Sequence, residues 1–423
     1  MKYIYFYTLV VFSLFTLLQC TTSSEHNLGS KHLQDTVHID FIPQRGVDIS
    51  VLIDTLVSIP LETTEKSILG KVEKMIVSEN LIYILDNEYS KAVFVFDLEG
   101  QFQYKIFRFG KGPGEYSEIF DMDVDNKYLY ILDSGRKMIR FDKKTGNFHS
   151  EQVLQQWMGM EFVVDNTGKQ VFYEKGFRNS EDFDENIRSC QIYQSNYFGT
   201  YKNCAIPFDS RFNAINFYPN ISFAKNQDEI LLLPAYTYDY FTHKDEKIKR
   251  LYHFDFGDHN MDIEQIFEIA KSNPDNISNY MFANPVVGHL LKLNFTRNYL
   301  TIVYSYHQND LNLIIDRNRG EVVVGGVGVR SSPEYQIGIP MPEAACGEYF
   351  YSVLDAYDFI KYDEDEQFDL TNLKVDSDRI SRTGENNPIL LRYRLRENNE
   401  MVYKYYKGVK EYFENAPTTV QGQ

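Results

Sequence analysis

The residues best suited to chemistry form the string Gly110, Lys111, Gly112, Pro113, Gly114, Glu115 and Tyr116. Three glycines around a proline make a tight loop whose backbone N–H groups can converge on one anion. The string lacks the Gly-x-x-x-x-Gly-Lys-Ser/Thr pattern of a P-loop, and no strand–loop–helix context makes it a dinucleotide fingerprint. Two roles stay open, a bend between structural units or a ligand contact, and Arg108 just before the string is a further candidate ligand contact.

A second set of candidate ligand contacts is aromatic. Tyr236, Tyr238, Tyr240 and Phe241 follow one another closely, and Trp157 is the only tryptophan of the chain. Such rings on surface loops form flat platforms for sugars or peptides. The same rings also fill space between packed sheets. The sequence therefore makes Trp157, Tyr236 and Tyr238 candidate contacts without deciding between the two roles.

No sequence pattern points to catalysis or to a metal. A Gly-x-Ser-x-Gly elbow is absent, Cys346 has no evident His partner, and no CxxC pair occurs. Strand alternation would place His253 and Asp255 on one face, but a solvated strand end explains them as well. Acidic residues are so abundant that choosing a glycosidase pair has no meaning without geometry. We predict no catalytic residue, no metal site and no cofactor.

The elements that must position these residues repeat along the chain. Segment 78–86 ends in Leu-Ile-Tyr-Ile-Leu-Asp, and segment 125–133 ends in Tyr-Leu-Tyr-Ile-Leu-Asp. Each is followed by a second apolar run and a turn that contains glycine. The repeat of about 45 residues is the length of one four-stranded propeller blade. Several runs are apolar throughout, which is typical of strands covered on both faces.

Further runs extend this pattern to six units, which begin near residues 70, 119, 161, 221, 300 and 347. A segment with helical spacing over 261–271, with Asp262 as its cap, indicates an insertion. We predict an all-β, six-bladed β-propeller with short helical insertions over 36–396, and a tail over 397–423. The strand near residue 391 either completes a blade begun at the N-terminus or ends its own blade.

Composition agrees with this class. Apolar residues make up 43% of the 423 residues, and 32 Tyr and 31 Phe favour strands. A net charge of -17 repels phosphate backbones, so we expect no nucleic-acid partner. Of the cysteines, Cys190 and Cys204 either pair across a hairpin, which an exported setting permits, or remain buried thiols.

The N-terminus reads as a targeting segment. Lys2 precedes an apolar core over 4–18 that is too short for a comfortable membrane span and fits a signal peptide. Leu-Leu-Gln-Cys at 17–20 resembles the lipobox of bacterial lipoproteins. This resemblance implies a signal peptide over 1–19, a lipid on Cys20 and a flexible tether over 20–35. Ordinary secretion, with Cys20 incidental, is the alternative.

With the lipobox, the string at 110–116 and the Tyr-Ile-Leu-Asp repeats, the chain resembles a family of bacterial six-bladed β-propeller lipoproteins, related in architecture to NHL and TolB-like propellers. The run at 387–393 is similar to the last strand of that family. The resemblance covers most of the mature chain and is loosest over 177–220. It implies a cell-envelope lipoprotein, and we expect the outer membrane as its location. Because the acidic surface is not attracted to anionic lipid, we expect the lipid anchor to be the only membrane contact. The resemblance implies no established reaction.

We therefore expect a non-catalytic binding module whose partner is an envelope protein or an extracellular glycan or peptide. One alternative is a carbohydrate hydrolase or lyase with carboxylates in the central channel, and another is a structural subunit of an envelope complex. Three carboxylates or His residues converging on the channel mouth would favour the enzyme. A broad aromatic patch on one face would favour binding.

Overall fold

Small antiparallel sheets follow one another along the chain as the blades of a six-bladed β-propeller. The structure is a computed structural model that describes residues 36–39, 52–134, 136–154, 159–174, 185–211, 223–235, 237–244, 247–273, 276–306, 309–325, 339–363 and 386–397. Two strands precede the first blade, β1 (Thr36–His38) and β2 (Ile53–Pro60). The predicted fold class is confirmed.

Each blade begins with its innermost strand and proceeds outward. Blade one contains β3 (Lys74–Ser78), β4 (Leu81–Asp86), β5 (Ala92–Asp97) and β6 (Phe102–Ile106). Blade two contains β7 (Ile119–Val124), β8 (Tyr128–Asp133), β9 (Lys137–Asp142) and β10 (Phe148–Val153). Blade three contains β11 (Glu161–Val164), β12 (Val171–Glu174), β13 (Cys190–Ser195) and β14 (Tyr201–Pro207).

The second half of the ring repeats this order. Blade four contains β15 (Phe223–Asn226), β16 (Glu229–Leu232), β17 (Asp239–Lys244) and β18 (Lys247–Asp255). Blade five contains β19 (Val287–Phe295), β20 (Tyr299–Tyr306), β21 (Asn309–Asp316) and β22 (Glu321–Gly325). Blade six contains β23 (Ala344–Cys346), β24 (Tyr349–Leu354) and β25 (Ile389–Leu395).

The ring is closed by the N-terminal part of the domain. Strand β2 pairs antiparallel with β25, from Ile53 opposite Leu395 to Pro60 opposite Ile389. It is therefore the outermost strand of blade six. The strand near residue 391 thus completes its blade with a strand from the N-terminal part of the domain. Strand β1 adds in parallel to the outer edge of β18, so blade four has five strands.

The core lies between neighbouring blades. One apolar cluster joins Tyr83 and Val95 of blade one to Met122, Leu129 and Ile139 of blade two. All five side chains are fully buried, with 0% exposed surface. Burying each of them stabilises the fold by about 2 kcal/mol. Because blade one is covered on both sides, its central strands β4 and β5 are apolar and buried along nearly their whole length.

Strand direction alternates within each blade and gives the propeller two unlike faces. The turns between first and second strands and between third and fourth strands are short, for example 79–80 and 143–147. We call this side the short-turn face. The opposite side carries the remaining connections, such as 61–73, 107–118 and 256–286, and we call it the long-loop face.

Every described α-helix lies in a connection on the long-loop face. These helices are α1 (Glu185–Arg188), α2 (Ile263–Ser272), α3 (Asn276–Ala283) and α4 (Ala356–Asp363). Helix α2 is the predicted insertion, and the Asp262 carboxylate caps it by accepting from the backbone N–H groups of Glu264 and Gln265. Within the described ranges, no helix has the length and apolar character needed to cross a membrane.

The sequence missed some elements. Strand β17 occupies part of the aromatic run at 236–242, the inner strand β19 was not recognised, and neither was α3. A disulfide joins Cys190 to Cys204 within blade three, with their Cα atoms 5.5 Å apart, so these thiols do pair. Cys20, Trp157 and Tyr236 lie outside the described residues, as do the predicted signal peptide and tether.

Candidate functional site

The glycine-rich string joins blades one and two on the long-loop face. The Gly110 N–H donates to the Tyr116 carbonyl, and the Tyr116 N–H donates to the Arg108 carbonyl, both at 2.9 Å. The Tyr116 ring is fully buried, and its hydroxyl donates to the Lys91 carbonyl at 2.8 Å. Burial raises the pKa of Tyr116 to about 12, so this hydroxyl keeps its proton. Tyr116 thus fixes the base of the loop to blade one.

The backbone amides that could form an anion site are already occupied. The Gly112 N–H donates to the Glu115 carboxylate at 2.7 Å, and the Gly114 N–H donates to the Glu151 carboxylate at 2.8 Å. The Lys137 ammonium donates to the Glu115 carbonyl and lies 3.6 Å from Glu151. Because carboxylates of the same chain satisfy these donors, the arrangement favours a structural bend over direct anion binding.

This fixed loop presents two aromatic rings to solvent. Phe107 is 58% exposed and Phe109 is 57% exposed, on either side of the exposed Arg108. The Lys91 ammonium lies 5.3 Å from the centre of the Phe109 ring, within cation–π distance. The sequence reasoning singled out Arg108 and missed both phenylalanines, although their alternation with it was visible.

Exposed apolar side chains are concentrated on the long-loop face. Among the described residues, the large apolar side chains that are exposed on this face are Ile68, Tyr89, Phe107, Phe109, Val153, Met160, Phe282 and Tyr357. On the short-turn face only Phe198 belongs to the same class within the described ranges. Burying such groups against a partner is favourable, so the two faces differ in their capacity for binding.

Tyr238 takes the core role that the sequence left open. It is buried, its hydroxyl donates to the Val287 carbonyl at 2.5 Å, and it accepts from the Met261 N–H at 2.7 Å. Its ring packs edge-on against Phe256, with the ring centres 5.2 Å apart. Burial raises the pKa of Tyr238. Tyr238 joins blade four to blade five and offers no surface to a ligand.

The inner strands of all six blades line a central channel of about 710 Å³. Its charged groups contact one another across blade boundaries. Lys74 lies 2.6 Å from Asp121, and Lys225 lies 2.7 Å from Asp123. Lys292 forms a third contact with Glu343. These contacts connect blade one to two, four to two and five to six.

Each of two channel carboxylates also accepts a backbone N–H from blade three. Asp121 accepts from Phe162 at 2.9 Å, and Asp123 accepts from Val164 at 2.8 Å. Burial raises the pKa of Asp121, although the nearby Lys74 ammonium opposes that effect. The carboxylates are committed to structural contacts, which does not favour a general acid and base acting on a glycan in the channel.

The histidine and acidic residues of blade four are also committed to local partners. His253 Nδ1 lies 2.9 Å from Asp239, and Asp255 contacts His38 at 3.0 Å and the Asn260 amide at 2.6 Å. Within the described part of the chain, no group of three His, Cys, Asp or Glu residues could hold a metal ion. The His253 and Asp255 region of blade four thus offers no evident metal site.

Comparison with known protein families assigns the chain to one of them. A family model described as "Domain of unknown function (DUF4934)" matches residues 37–394. The chain belongs to this family. No curated protein matches the sequence. The relation to NHL and TolB-like propellers therefore remains an architectural hypothesis, while membership of DUF4934 is established.

A solved structure shares the fold. A candidate exported protein from Bacteroides fragilis NCTC 9343 is 14% identical, with a TM-score of 0.66, and the match covers 86% of this chain and 100% of that one. At this identity the likeness shows the propeller fold alone. U3-55K matches at 10% identity over 80% of this chain and 98% of its own, with a TM-score of 0.41. The β-propeller domain of Myceliophteria thermophila Cps50 (Swd1) matches at 9% identity over 64% and 91%, with a TM-score of 0.37. These two likenesses are too distant to bear on fold or function.

Proposed function

We propose that this DUF4934 protein is an exported, lipid-anchored propeller of the cell envelope that binds a partner through its long-loop face without catalysis. The signal-like segment and Cys20 support export and anchoring, and the Cys190–Cys204 disulfide suits an oxidising compartment. The Bacteroides fragilis structure with the same fold is described as a candidate exported protein, which agrees with this setting. The outer membrane is the proposed location.

The concentration of exposed apolar side chains on one face carries the proposal. Loops on a rigid scaffold are where binding residues usually lie, and contiguous exposed apolar surface marks interaction sites. The short-turn face has tight polar turns, such as Asp142 to Gly146, in which the Asp142 carboxylate accepts from the N–H groups of Lys144 and Thr145. Both described ends of the chain also leave from that side, since β1 starts there and β25 ends there.

Affinity capture with face-specific variants tests the proposal. The full chain is immobilised and exposed to detergent-solubilised envelope of the native host. We expect a captured envelope protein to be lost when Phe107, Phe109, Phe282 and Tyr357 are all changed to Ser, and to be retained by Phe198→Ser. All five side chains are exposed, so the folded domain tolerates these changes.

Capture that is lost in Phe198→Ser and retained in the long-loop variant would contradict the assignment of the face. Turnover of glycans by the purified chain would contradict the absence of catalysis. If turnover were abolished by Asp121→Asn or Asp123→Asn, the channel enzyme would replace the binding module as the function.

A further inference from the structure

One corner of the long-loop face, at blade one, combines apolar rings with positive charge. We call it the blade-one corner and define it by Ile68, Tyr89, Lys91, Phe107, Arg108 and Phe109. The surface is continuous from one loop to the next. A Cβ atom on Gly70 would lie 2.5 Å from the Tyr89 Cβ, so Tyr89 sits directly on the loop that carries Ile68. Lys91 in turn packs on the Phe109 ring.

The loops beneath the blade-one corner are held by hydrogen bonds at their base. The Asp86 carboxylate accepts from the N–H groups of Gly70 at 2.7 Å and Tyr89 at 3.1 Å. The Lys91 carbonyl accepts from the buried Tyr116 hydroxyl. All three connections that form the corner are thereby tied to the blade. A surface fixed before binding loses little conformational entropy when a partner docks.

The free charge of the blade-one corner opposes that of the whole protein. The chain carries a net charge of -17. The neighbouring carboxylates are already engaged: Glu88 pairs with Lys71 at 2.6 Å, and Glu115 and Glu151 accept from the glycine amides. On the loops 61–73, 87–91 and 107–118, the exposed cations that form no ion pair with a described residue are Lys66, Lys91, Arg108 and Lys111. On the same loops the exposed carboxylates without such a pair are Glu65, Glu73 and Glu118, three against four cations. Both charged side chains of the blade-one corner itself, Lys91 and Arg108, are positive.

We propose that the blade-one corner binds a protein segment that inserts an apolar side chain among Tyr89, Phe107 and Phe109 and carries acidic residues around it. The proposal rests on the binding function above and names its partner chemistry. An apolar centre with a charged rim is the usual anatomy of a protein interface. The unpaired cations favour an acidic partner, because complementary charge steers association.

The chemistry of the corner favours a protein over a glycan. Glycan platforms need polar groups that bind hydroxyls beside the stacking ring. Phe107 and Phe109 have no hydrogen-bonding atom, and Ile68 is aliphatic and cannot stack on a sugar. Lys91 and Arg108 beside them only donate hydrogen bonds, so the Tyr89 hydroxyl is the one acceptor among the side chains of the corner. These side chains are better matched by aliphatic and aromatic side chains of another protein.

Photo-crosslinking in the native host tests the proposal on the full chain. The crosslinking residue p-benzoylphenylalanine replaces Phe107 or Phe109 in turn. It also replaces Phe198 on the short-turn face and Phe282 on another part of the long-loop face. We expect adducts at 107 and 109 and none at 198. Mass spectrometry of the adduct should find a peptide with an apolar residue flanked by Asp or Glu.

Charge reversal completes the test. Arg108→Glu combined with Lys111→Glu should reduce the adduct yield at least about tenfold, because like charges disfavour the complex. The matched control is Lys144→Glu with Lys169→Glu, which makes the same charge change at exposed positions of the short-turn face and should leave the yield unchanged. An unchanged yield after reversal at the blade-one corner would show that the partner is not recognised by its acidity.

The remaining outcomes separate this proposal from the proposed function. Adducts at 282 without adducts at 107 or 109 would overturn the blade-one corner and leave binding by the long-loop face intact. Periodate-sensitive adducts that yield no peptide would overturn the protein class and indicate a glycan. Adducts at 198 alone, or at none of the four positions, would overturn both proposals.

Discussion

At the scale of single residues, the repeated motif has a structural explanation. Asp86 and Asp133 end the Tyr-Ile-Leu-Asp segments, and both are buried. Asp86 accepts from the Gly70 N–H and Asp133 accepts from the Ser117 N–H, each at 2.7 Å. Each donor belongs to the loop that leads into the same blade. The repeated aspartate therefore fixes the entrance of a blade to the end of its second strand.

Asp86 should give a stability that depends on pH. Burial alone would raise its pKa, but hydrogen bonds from Ser90 and the Gly70 N–H outweigh burial and hold the pKa below the ordinary value of an aspartate. A lowered folded pKa stabilises the protein above the unfolded pKa, and this contribution is lost as the pH falls through the folded pKa. Asp86→Asn should thus cost about 2 kcal/mol at pH 7 and less at pH 3. Urea unfolding at both pH values measures the difference.

The exposed Glu118→Gln is the control for Asp86→Asn and should change the unfolding free energy by less than about 0.5 kcal/mol. An equal loss for Asp86→Asn at the two pH values would contradict the role of its charge.

Gly114 should tolerate no side chain. Its φ is +71°, and a Cβ atom would lie 2.5 Å from the Phe148 ring. Gly257 has a similar φ of +59° with nothing within 4 Å of its Cβ position. Gly257→Ala should cost about 1 kcal/mol from backbone strain alone, and Gly114→Ala should cost clearly more. Equal unfolding free energies for the two variants would mean that the loop moves freely away from Phe148.

At the scale of elements, blade three depends on a covalent bond as well as on its ladder. Strand β13 is wholly buried, and the pairing of β13 with β14 has several register shifts. The disulfide joins Cys190 to Cys204 across these two strands. It closes a loop over a sequence separation of 14, which restricts the unfolded chain.

Replacing both cysteines by Ala should lower the unfolding free energy by about 3 kcal/mol, the value expected for a loop of this length. The comparison is made by urea unfolding without reductant. Cys346→Ala is the control, because this residue is the free cysteine of the described domain. Native chain that binds a thiol reagent at both Cys190 and Cys204 without prior reduction would show that the bond is not formed.

At the scale of the whole molecule, the propeller is a ring closed by hydrogen bonds. Strand β2 supplies the outer edge of blade six along its full length, and Asn387 adds contacts to the loop after β2. Without β2, blade six would expose the edge of β25, a strand that is mostly buried. Closure therefore couples the two ends of the domain.

Truncation should show this coupling. A chain that begins at Leu61 should lose cooperative thermal unfolding and become sensitive to protease, whereas a chain that begins at Thr36 should keep both properties. Circular dichroism and limited proteolysis make the comparison. A cooperative, protease-resistant chain beginning at Leu61 would mean that closure is dispensable.

The proposed anchor is tested separately in cells. Cys20→Ser should abolish incorporation of radiolabelled palmitate and release the protein from the membrane fraction, because the acyl chains are the proposed membrane contact. Cys346→Ser should keep both properties. Label that persists in Cys20→Ser would refute lipidation at this position.

The sequence alone determined the blades, because their signal is local. Apolar runs such as Val93 to Phe96 reflect burial on both faces, and turns ending in Gly100 and Gly146 reflect positive φ angles of 78° and 68°. These features depend only on neighbours along the chain, so the six units and the α2 insertion were readable. Strand β17 was missed because its Tyr240 and Phe241 resembled part of a surface platform.

Only the tertiary structure decided how distant parts of the chain meet. The pairing of β2 with β25, the contact between Lys225 and Asp123, and the hydrogen bond from the Gly114 N–H to Glu151 all join residues that are far apart in the sequence. The division into two faces follows from strand direction around the ring. It alone brings Tyr89, Phe107 and Phe109 onto one surface, because apolar exposure is a property of the assembled blades and not of any single segment.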